Sequence, residues 1–332
     1  MLFLEVDYDI KDKVKRLGAR WNPEIKKWYV EKKENFNEWN LKYKNTILNT
    51  CEKLATAVNE AVRDGYRPIV IGGDHSIALG SISGVSLEKE IGVIWIDAHG
   101  DMNTDESTIT GNIHGMPLAL LQGAGDRDLV NCFYEGAKID SKNVVILGAR
   151  DLDFKEREII DQLGVKVIYH DEVLQKGLDN ILEEIREYLQ IDNLHISFDV
   201  DSVNPELAPG VSTPVRNGFT TDEIFQTFKY LFKNYSITST PCICASKSSE
   251  KQSHNPSGCS FIYSVVYQFS AKLISPANPN TICRYLLSCF PDQTRHPQAL
   301  HSSRPNPQNQ LPIPGMYLHG KLPRYPVLCK FL

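Results

Sequence analysis

Long apolar runs are missing from this chain of 332 residues. Since a membrane-spanning helix needs about 18 or more consecutive apolar residues, none is expected. The first residues, MLFLEVDYDIKDK, include acids close to the first apolar stretch and lack a small-residue cleavage site, so no signal peptide is predicted. Cysteine is also scarce: eight residues are too few for a disulfide scaffold at this length. A cytoplasmic protein with reduced thiols is expected.

An excess of positive charge is absent as well. The chain has 36 Lys and Arg against 41 Asp and Glu, a net charge of −5. A mildly acidic protein is a poor match for a nucleic-acid coat, so a nucleic-acid partner is not expected. The hydrophobic share of 42% is typical of a globular chain with a large buried core.

The composition changes sharply after residue 240. Residues 241–332 contain nine Lys or Arg but two acids, with twelve of the 18 prolines and six of the eight cysteines. Stretches such as HPQALHSSRPNPQNQLPIPG hold neither a helical nor a strand period. We therefore predict three parts: a small Trp-rich module over 1–44, a core over 45–240, and a disordered or aberrant tail over 241–332.

The core alternates short apolar runs with helical patterns. RPIVIGG, IGVIWID, NVVILGAR, VKVIYH and LHISFDV are rich in β-branched residues, and segments such as TTDEIFQTFKYLFKN separate them. Strands that are apolar on both faces indicate a parallel sheet covered by helices on both sides. The prediction is an α/β fold, a three-layer αβα sandwich whose C-terminal part is incomplete or disordered.

Acids and histidines follow three of these predicted strands. The carboxyl ends of parallel strands meet at one edge of a sheet, where ligands bind, and alternate residues of extended chain point the same way. Oxygen and imidazole donors without a thiolate suit manganese, and a pair of divalent cations activates water. The alternative is that each acid is a helix cap or a solvated strand end. The candidate ligands are His75, Asp97, His99, Asp101, Asp199 and Asp201.

Three motifs in this region resemble those of the ureohydrolases, the arginase and agmatinase family. They are GGDHS, DAHGD and SFDVDSVNP, and the resemblance covers about residues 45–235. It implies an αβα sandwich with two Mn²⁺ per subunit, in which a metal-bridging hydroxide attacks the guanidinium carbon of the substrate and urea leaves. By match to the motifs, the six candidate ligands are the metal ligands.

Catalytic roles follow from the same resemblance. Asp101 can ligate a metal and also accept a hydrogen bond from the nucleophile. His114, in TGNIHGMP, stands where the arginase motif has its proton-shuttling histidine, which protonates the departing amine. The alternative for His114 is an ordinary loop histidine. His170 and His195 lack such a context and are predicted to be structural.

The loop DMNTDESTITGNIHG resembles the arginase version of this segment. There, neutral donors hold the α-carboxylate of arginine, which agmatine lacks. Two acids after the motif GARD match residues that contact the α-amino group, although acids also favour the first turn of a helix. A threonine beside Pro214 matches a pocket residue, with a simple turn as the alternative. These substrate candidates are Asn103, Thr110, Asn112, Asp153, Glu156 and Thr213.

The resemblance is absent at both ends of the chain. Residues 1–44 hold three of the four tryptophans in a GA-R-W…K-W-Y pattern, similar to a small module of uncharacterised function. Aromatics interleaved with basic residues can stack on nucleic acid, but a small strand-helix-strand unit with an aromatic core is favoured.

After Tyr235 no E-x-N-P motif supplies the strand and the glutamate that receive the substrate guanidinium, and Glu250 lacks an apolar strand before it. We therefore expect that strand to be missing. A zinc site in the tail is disfavoured because its ligand spacing is poor. Its candidate ligands would be Cys242, Cys244, His254 and Cys259.

The sequence therefore predicts manganese-dependent hydrolysis of L-arginine to L-ornithine and urea. Another ureohydrolase, an agmatinase or a guanidino-acid hydrolase, is one alternative. A truncated, inactive fragment that binds only metal or a partner is the other. The family resemblance implies a homotrimer or homohexamer if the core is complete, and no membrane partner is expected.

Overall fold

The computed structural model describes side chains for residues 43–211 and 213–239. It also describes the backbone of residues 2–4, 20–22, 27–30, 34–42, 240–243, 283–287 and 328–331. None of the helices in these ranges combines the length and the apolar character that crossing a bilayer requires.

A small antiparallel sheet near the N-terminus precedes the main sheet. It consists of β1 (Leu2–Leu4), β2 (Arg20–Asn22) and β3 (Lys27–Val30), with β3 in the middle. The first helix then begins at Glu34, before the predicted module boundary at residue 44, and runs without a break to Arg63. The division of the chain into three parts remains a prediction.

The main sheet has eight strands among the described residues, and every pair of neighbours is parallel. In chain order the strands are β4 (Arg67–Ile71), β5 (Gly92–Ile96), β6 (Val144–Ala149), β7 (Lys166–Tyr169), β8 (Asn193–Asp199), β9 (Ser236–Ile243), β10 (Cys283–Leu287) and β11 (Leu328–Phe331). Their order across the sheet is β11-β10-β4-β9-β8-β5-β6-β7. β8 therefore lies between β9 and β5.

Helices cover both faces of this sheet. They are α1 (Glu34–Arg63), α2 (Ile77–Ser86), α3 (Pro117–Leu121), α4 (Arg127–Val130), α5 (Phe154–Leu163), α6 (His170–Lys176), α7 (Leu178–Tyr188) and α8 (Thr221–Asn234). The buried residues form two clusters, and alternate residues of β5 enter each: Val93 and Trp95 pack with α1 to α5, whereas Ile94 and Ile96 pack with α6 to α8. The predicted αβα sandwich with a parallel sheet is confirmed.

The contact between α1 and α2 fixes the chain just after His75. A Cβ atom built on Gly80 would lie 2.6 Å from the carbonyl oxygen of Cys51, and one on Gly84 would lie 2.5 Å from that of Ala55. Only glycine allows the two backbones to approach this closely. Because α2 begins two residues after His75, this packing also anchors that histidine.

A strand follows α8, so the expectation that it is missing is wrong. β9 runs from Ser236 to Ile243 and lies between β4 and β8. Its sequence, SITSTPCI, hides a central strand because polar residues interrupt the apolar ones and Pro241 cannot donate a ladder hydrogen bond. None of its residues is acidic. Two strands that pair within the sheet, β10 and β11, come from residues in the predicted tail.

Candidate metal centre

The six candidate metal ligands lie at the carboxyl edge of the parallel sheet. Asp97 directly follows β5, and Asp199 is the last residue of β8, which pairs with β5. His75 comes from the segment between β4 and α2. Five of the six form two groups of possible metal ligands among the described residues. The first ligand group is His75, Asp97 and Asp101; the second ligand group is Asp97, His99 and Asp201.

The first ligand group surrounds the Nδ1 atom of His75. This atom lies 2.9 Å from Asp97 Oδ2 and 2.9 Å from Asp101 Oδ2. Asp199 Oδ2 is 3.4 Å away, which brings a further carboxylate to the same place. Asp101 has a φ of +51°, a left-handed conformation that costs energy in a residue with a Cβ atom. The chain thus holds a strained backbone at a residue that points its carboxylate into this group.

The second ligand group is built around His99. Its Nδ1 atom lies 3.2 Å from Asp201 Oδ2 and 3.4 Å from Asp97 Oδ1. Thr213 Oγ1 donates a hydrogen bond of 3.1 Å to Asp201 Oδ2. Asp97 belongs to both groups, one carboxylate oxygen facing each histidine, which is the arrangement expected of a ligand that bridges two cations.

The same local turn orients the carboxylates after both strands. Asp97 Oδ1 accepts a hydrogen bond of 2.7 Å from the backbone N–H of His99, and Asp199 Oδ1 accepts one of 2.9 Å from that of Asp201. Such an Asp side chain bonds to its own backbone two residues further on. The D-x-H and D-x-D spacings therefore set the carboxylate orientation as well as the chain direction.

Burial makes this cluster electrostatically costly on its own. Asp97, Asp101, Asp199 and Asp201 are each no more than 6% exposed. Burial, with repulsion from Asp97, raises the pKa of Asp101 to about 6, and burial with repulsion from Asp201 and Asp97 raises the pKa of Asp199 well above its usual value. Burial acts against a charged His99, but its interactions with Asp201 and Asp97 raise its pKa to about 12. Positive charge at this place would relieve the repulsion among the carboxylates.

The donor set fits a pair of divalent cations. His75 Nδ1 is buried and faces three carboxylate oxygens at 2.9 to 3.4 Å. Carboxylate and imidazole donors without a thiolate match manganese chemistry. The two groups would hold one ion each, with Asp97 common to both and Asp199 next to the first.

Two residues that sequence analysis did not identify orient the imidazole of His75. The ring stacks on Trp95 with 3.9 Å between centroids, and its Nε2 atom lies 2.9 Å from the hydroxyl of Ser197. Trp95 Nε1 also donates a hydrogen bond of 3.0 Å to Asp97 Oδ2. The two-residue period of a strand could have identified them, because alternate residues point to the same face. Trp95 lies two residues before Asp97, and Ser197 lies two residues before Asp199.

Replacing Ser197 with Ala is expected to weaken manganese binding about tenfold, because partners that fix the orientation of a metal-binding histidine typically contribute 10- to 100-fold to affinity. Isothermal titration with Mn²⁺ measures the change. The matched control is Ser81→Ala, since Ser81 is equally buried and its hydroxyl bonds to the carbonyl of Ala78 in its own helix. Equal affinities of the two variants would contradict the role assigned to Ser197.

Three of the substrate candidates form one hydrogen-bonded unit beside the ligands. Asn103 Nδ2 donates to Asp153 Oδ2 over 3.0 Å, and Asp153 Oδ1 caps α5 by accepting from the backbone N–H of Glu156 over 2.9 Å. Glu156 Oε1 accepts from the backbone N–H of Met102 over 2.9 Å. Burial raises the pKa of Glu156 to about 8, with a further contribution from Asp101. Asp153 is therefore the N-cap of α5, and its bond from Asn103 connects α5 to the ligand loop. The roles of these three residues toward a substrate remain predictions.

The remaining candidates lie in the loop that ends at His114. Thr110 is exposed, and its hydroxyl accepts a hydrogen bond of 3.2 Å from the backbone N–H of Asn112. His114 lies in a short 3₁₀ helix over Ile113–Gly115, and its Nδ1 atom is 4.0 Å from Asp74 Oδ2. Their roles toward a substrate remain predictions.

His170 and His195 lie outside both ligand groups. His195 is fully buried in β8, where its Nδ1 atom lies 2.6 Å from the hydroxyl of Ser239. His170 packs edge-on against Phe219 with 4.6 Å between ring centroids. Of the zinc candidates in the tail, Cys242 is a residue of β9. The other zinc candidates and Glu250 lie outside the described residues.

Comparison with known proteins connects this geometry to one family. Residues 9–243 match the sequence model of the Arginase family. The chain is 44% identical to an arginase of Bacillus subtilis (strain 168) over 205 residues, which are 61% of this chain and 69% of the relative. It is 45% identical to an arginase of Brevibacillus brevis over 182 residues, which are 54% of this chain and 61% of the relative.

Solved structures give the same result. A crystal structure of arginase from Bacillus cereus matches with a TM-score of 0.62 and 37% identity, covering 66% of this chain and 76% of that one. The matched part of the B. brevis relative is less than two thirds of its length. With the family model matching more than half of the residues, the chain belongs to the arginase family, whose members are ureohydrolases.

Proposed function

We propose that this chain hydrolyses the guanidinium group of L-arginine, giving L-ornithine and urea, with two Mn²⁺ ions. The observation that carries the proposal is the pair of ligand groups that share Asp97, since two cations bound to one carboxylate lie close together. When bound, the two ions supply an activated water at neutral pH. The homologous arginases support arginine as the substrate.

The residues around the ligands provide the remaining chemistry. Asp101 accepts a hydrogen bond from the nucleophilic water and orients it toward the guanidinium carbon. His114 donates a proton to the amine that leaves, because an amine leaves readily only when a positioned acid protonates it. Asp101 lies at the carboxyl edge of the sheet, five residues after the end of β5. His114 lies in the short 3₁₀ helix further along the same connection.

Specificity for arginine comes from its α-amino acid end. Asp153 and Glu156 take the α-amino group, and their acidic side chains follow β6 where α5 begins. Neutral donors and acceptors hold the α-carboxylate without a buried positive charge. Those residues are Asn103, Thr110 and Asn112. Thr213, whose hydroxyl donates to Asp201, is a further residue of the substrate pocket.

One observation favours an inactive fragment that binds only metal. β9 carries no acidic residue, so the strand that follows α8 offers no carboxylate to pair with the substrate guanidinium. Without a carboxylate partner, a buried guanidinium loses binding free energy of about 2–5 kcal/mol. This candidate differs from the arginase proposal in its activity but agrees with it in manganese binding.

Urea release from arginine, from agmatine and from a guanidino acid without an α-amino group, each with added Mn²⁺, tests the proposal. We expect arginine to be hydrolysed with a kcat/KM at least about 100-fold above agmatine, because agmatine leaves the carboxylate-binding donors unpaired. Preference for agmatine or for the guanidino acid would overturn the choice of substrate. Manganese binding without urea from any of the three would establish the fragment.

A cytoplasmic location and assembly as a homotrimer or homohexamer are part of the same proposal. Both come from the sequence and its family resemblance. No membrane or nucleic-acid partner is included.

A further inference from the structure

Arg150 is a half-buried residue whose guanidinium binds four backbone carbonyl groups. Nη2 donates to the oxygens of Asp201 and Val215 over 2.7 and 3.0 Å. Nε donates to Arg216 over 3.1 Å, and Nη1 to Gly148 over 3.3 Å. These carbonyls belong to three segments: the end of β6, the turn after β8, and the loop over residues 213–216. A single side chain therefore joins pieces of chain that are 51 to 66 residues away from it.

Each of the distant contacts involves a member of the second ligand group or the loop that binds one. Asp201 is a member of it, and Thr213, in the loop that Arg150 holds, donates to the Asp201 carboxylate. The backbone N–H of Arg150 donates to the carbonyl of Ala98 over 2.9 Å, and Ala98 lies between Asp97 and His99. Arg150 thus contacts the backbone beside all three members of the group.

We propose that Arg150 is a positioning residue that fixes the second ligand group for its metal ion and connects it to the loop of Thr213. The inference rests on the proposed metal site and goes beyond it by assigning a function to a residue that does not ligate. The hydrogen bonds of the Arg150 side chain within the described residues reach Asp201 but neither His75 nor Asp101. Its effect is therefore selective for one of the two ions.

Arginine suits this role better than lysine. Its planar guanidinium offers five N–H donors in a fixed geometry and remains charged. Lysine offers three donors from a single point and so could satisfy only some of the four carbonyls. The positive charge also faces Asp201, Asp97 and Asp151, and it lowers the repulsion among buried carboxylates before any cation binds.

The test compares Arg150→Met and Arg150→Lys with the full-length wild-type chain in a titration with Mn²⁺, followed by electron paramagnetic resonance and calorimetry. We expect wild type to bind two ions. In Arg150→Met one ion binds with wild-type affinity and the other about 10- to 100-fold more weakly. Arg150→Lys recovers part of this loss. Arg157→Lys, on the exposed side of α5, is the control and should match wild type.

Two further measurements separate positioning from a general loss of stability. The first is the melting temperature of Arg150→Met with the metal removed by a chelator, which a merely structural role would lower. If that temperature falls and the titration shows both ions bound equally more weakly, the proposal is overturned. In a double-mutant cycle with Thr213→Val, we expect the two effects to be non-additive, because both substitutions release Asp201. Two ions bound with unchanged affinity in Arg150→Met would also overturn it, whereas a wild type that binds no manganese would overturn the proposed function itself.

Discussion

Asp97→Asn is expected to reduce urea release by a factor on the order of 10³ or more and to prevent the binding of two manganese ions together. Asp97 is the one residue common to both ligand groups among the described residues. An amide at this position removes a negative charge and one of the two oxygens that face the two histidines. In the part of the chain that the structure describes, no other side chain of the cluster reaches both His75 and His99 at these distances.

The same substitution also disturbs the hydrogen bonds that hold the carboxylate. Asp97 accepts from Trp95 Nε1 through one oxygen and from the backbone N–H of His99 through the other. An amide NH₂ in place of either oxygen puts two donors face to face, which leaves a buried donor unsatisfied at a cost of about 1–3 kcal/mol. Neither orientation of the introduced amide avoids this conflict.

The measurements are steady-state urea release and the number of Mn²⁺ ions bound per chain. Asp161→Asn is the matched control because Asp161 is an exposed residue of α5, and its replacement removes the same charge away from the ligands. A variant at Asp97 that still binds two ions and retains more than about a tenth of wild-type activity would contradict the bridging role of this carboxylate.

Gly148→Ala is expected to lower the free energy of unfolding by about 2–5 kcal/mol, combining the cost of a left-handed residue with that of overpacking a core. Gly148 has a φ of +94° at a register shift in β6. A Cβ atom there would overlap Phe219 Cε2. Phe219 is fully buried against His170, so its ring has no space into which it can move.

Gly164→Ala is the matched control for this prediction. Gly164 ends α5 with a φ of +70°, and a Cβ atom there would have no neighbour within 4 Å. Its expected cost is the backbone strain alone, about 1–2 kcal/mol. Denaturant unfolding of both variants with the same buffer and metal content measures the difference. Equal losses in the two variants would show that the contact with Phe219 contributes nothing.

The sequence predicts the sheet and the convergence of the candidate ligands because both depend on local patterns. β5 is an apolar run and β8 alternates polar with apolar residues, and acids at the end of each have a spacing that determines which side chains converge. β9 escapes prediction for the opposite reason, since Ser and Thr interrupt its apolar residues and Pro241 disfavours a central strand. Its place in the sheet depends on pairing with β4 and β8, which its own residues do not indicate.

The residues around the ligands are harder to predict because their partners are not local. Trp95 and Ser197 have the pattern of buried strand residues, and only the pairing of β5 with β8 and the approach of His75 reveal what they contact. Arg150 directly follows β6, and its position in the sequence does not distinguish it from an ordinary turn residue. Its partners are backbone carbonyls, which no side-chain pattern can indicate.

The pairing of β5 with β8 also determines when, during synthesis of the chain, the ligand set can form. Ala98 and Asp201 are joined by a hydrogen bond although they are 103 residues apart in the chain. A ribosome that has finished β5 has not yet made Asp199 or Asp201, and pairing across such a separation is slow because a long loop must close. The complete ligand set therefore forms only after β8 enters the sheet, which cannot happen until residues 193–201 have been made.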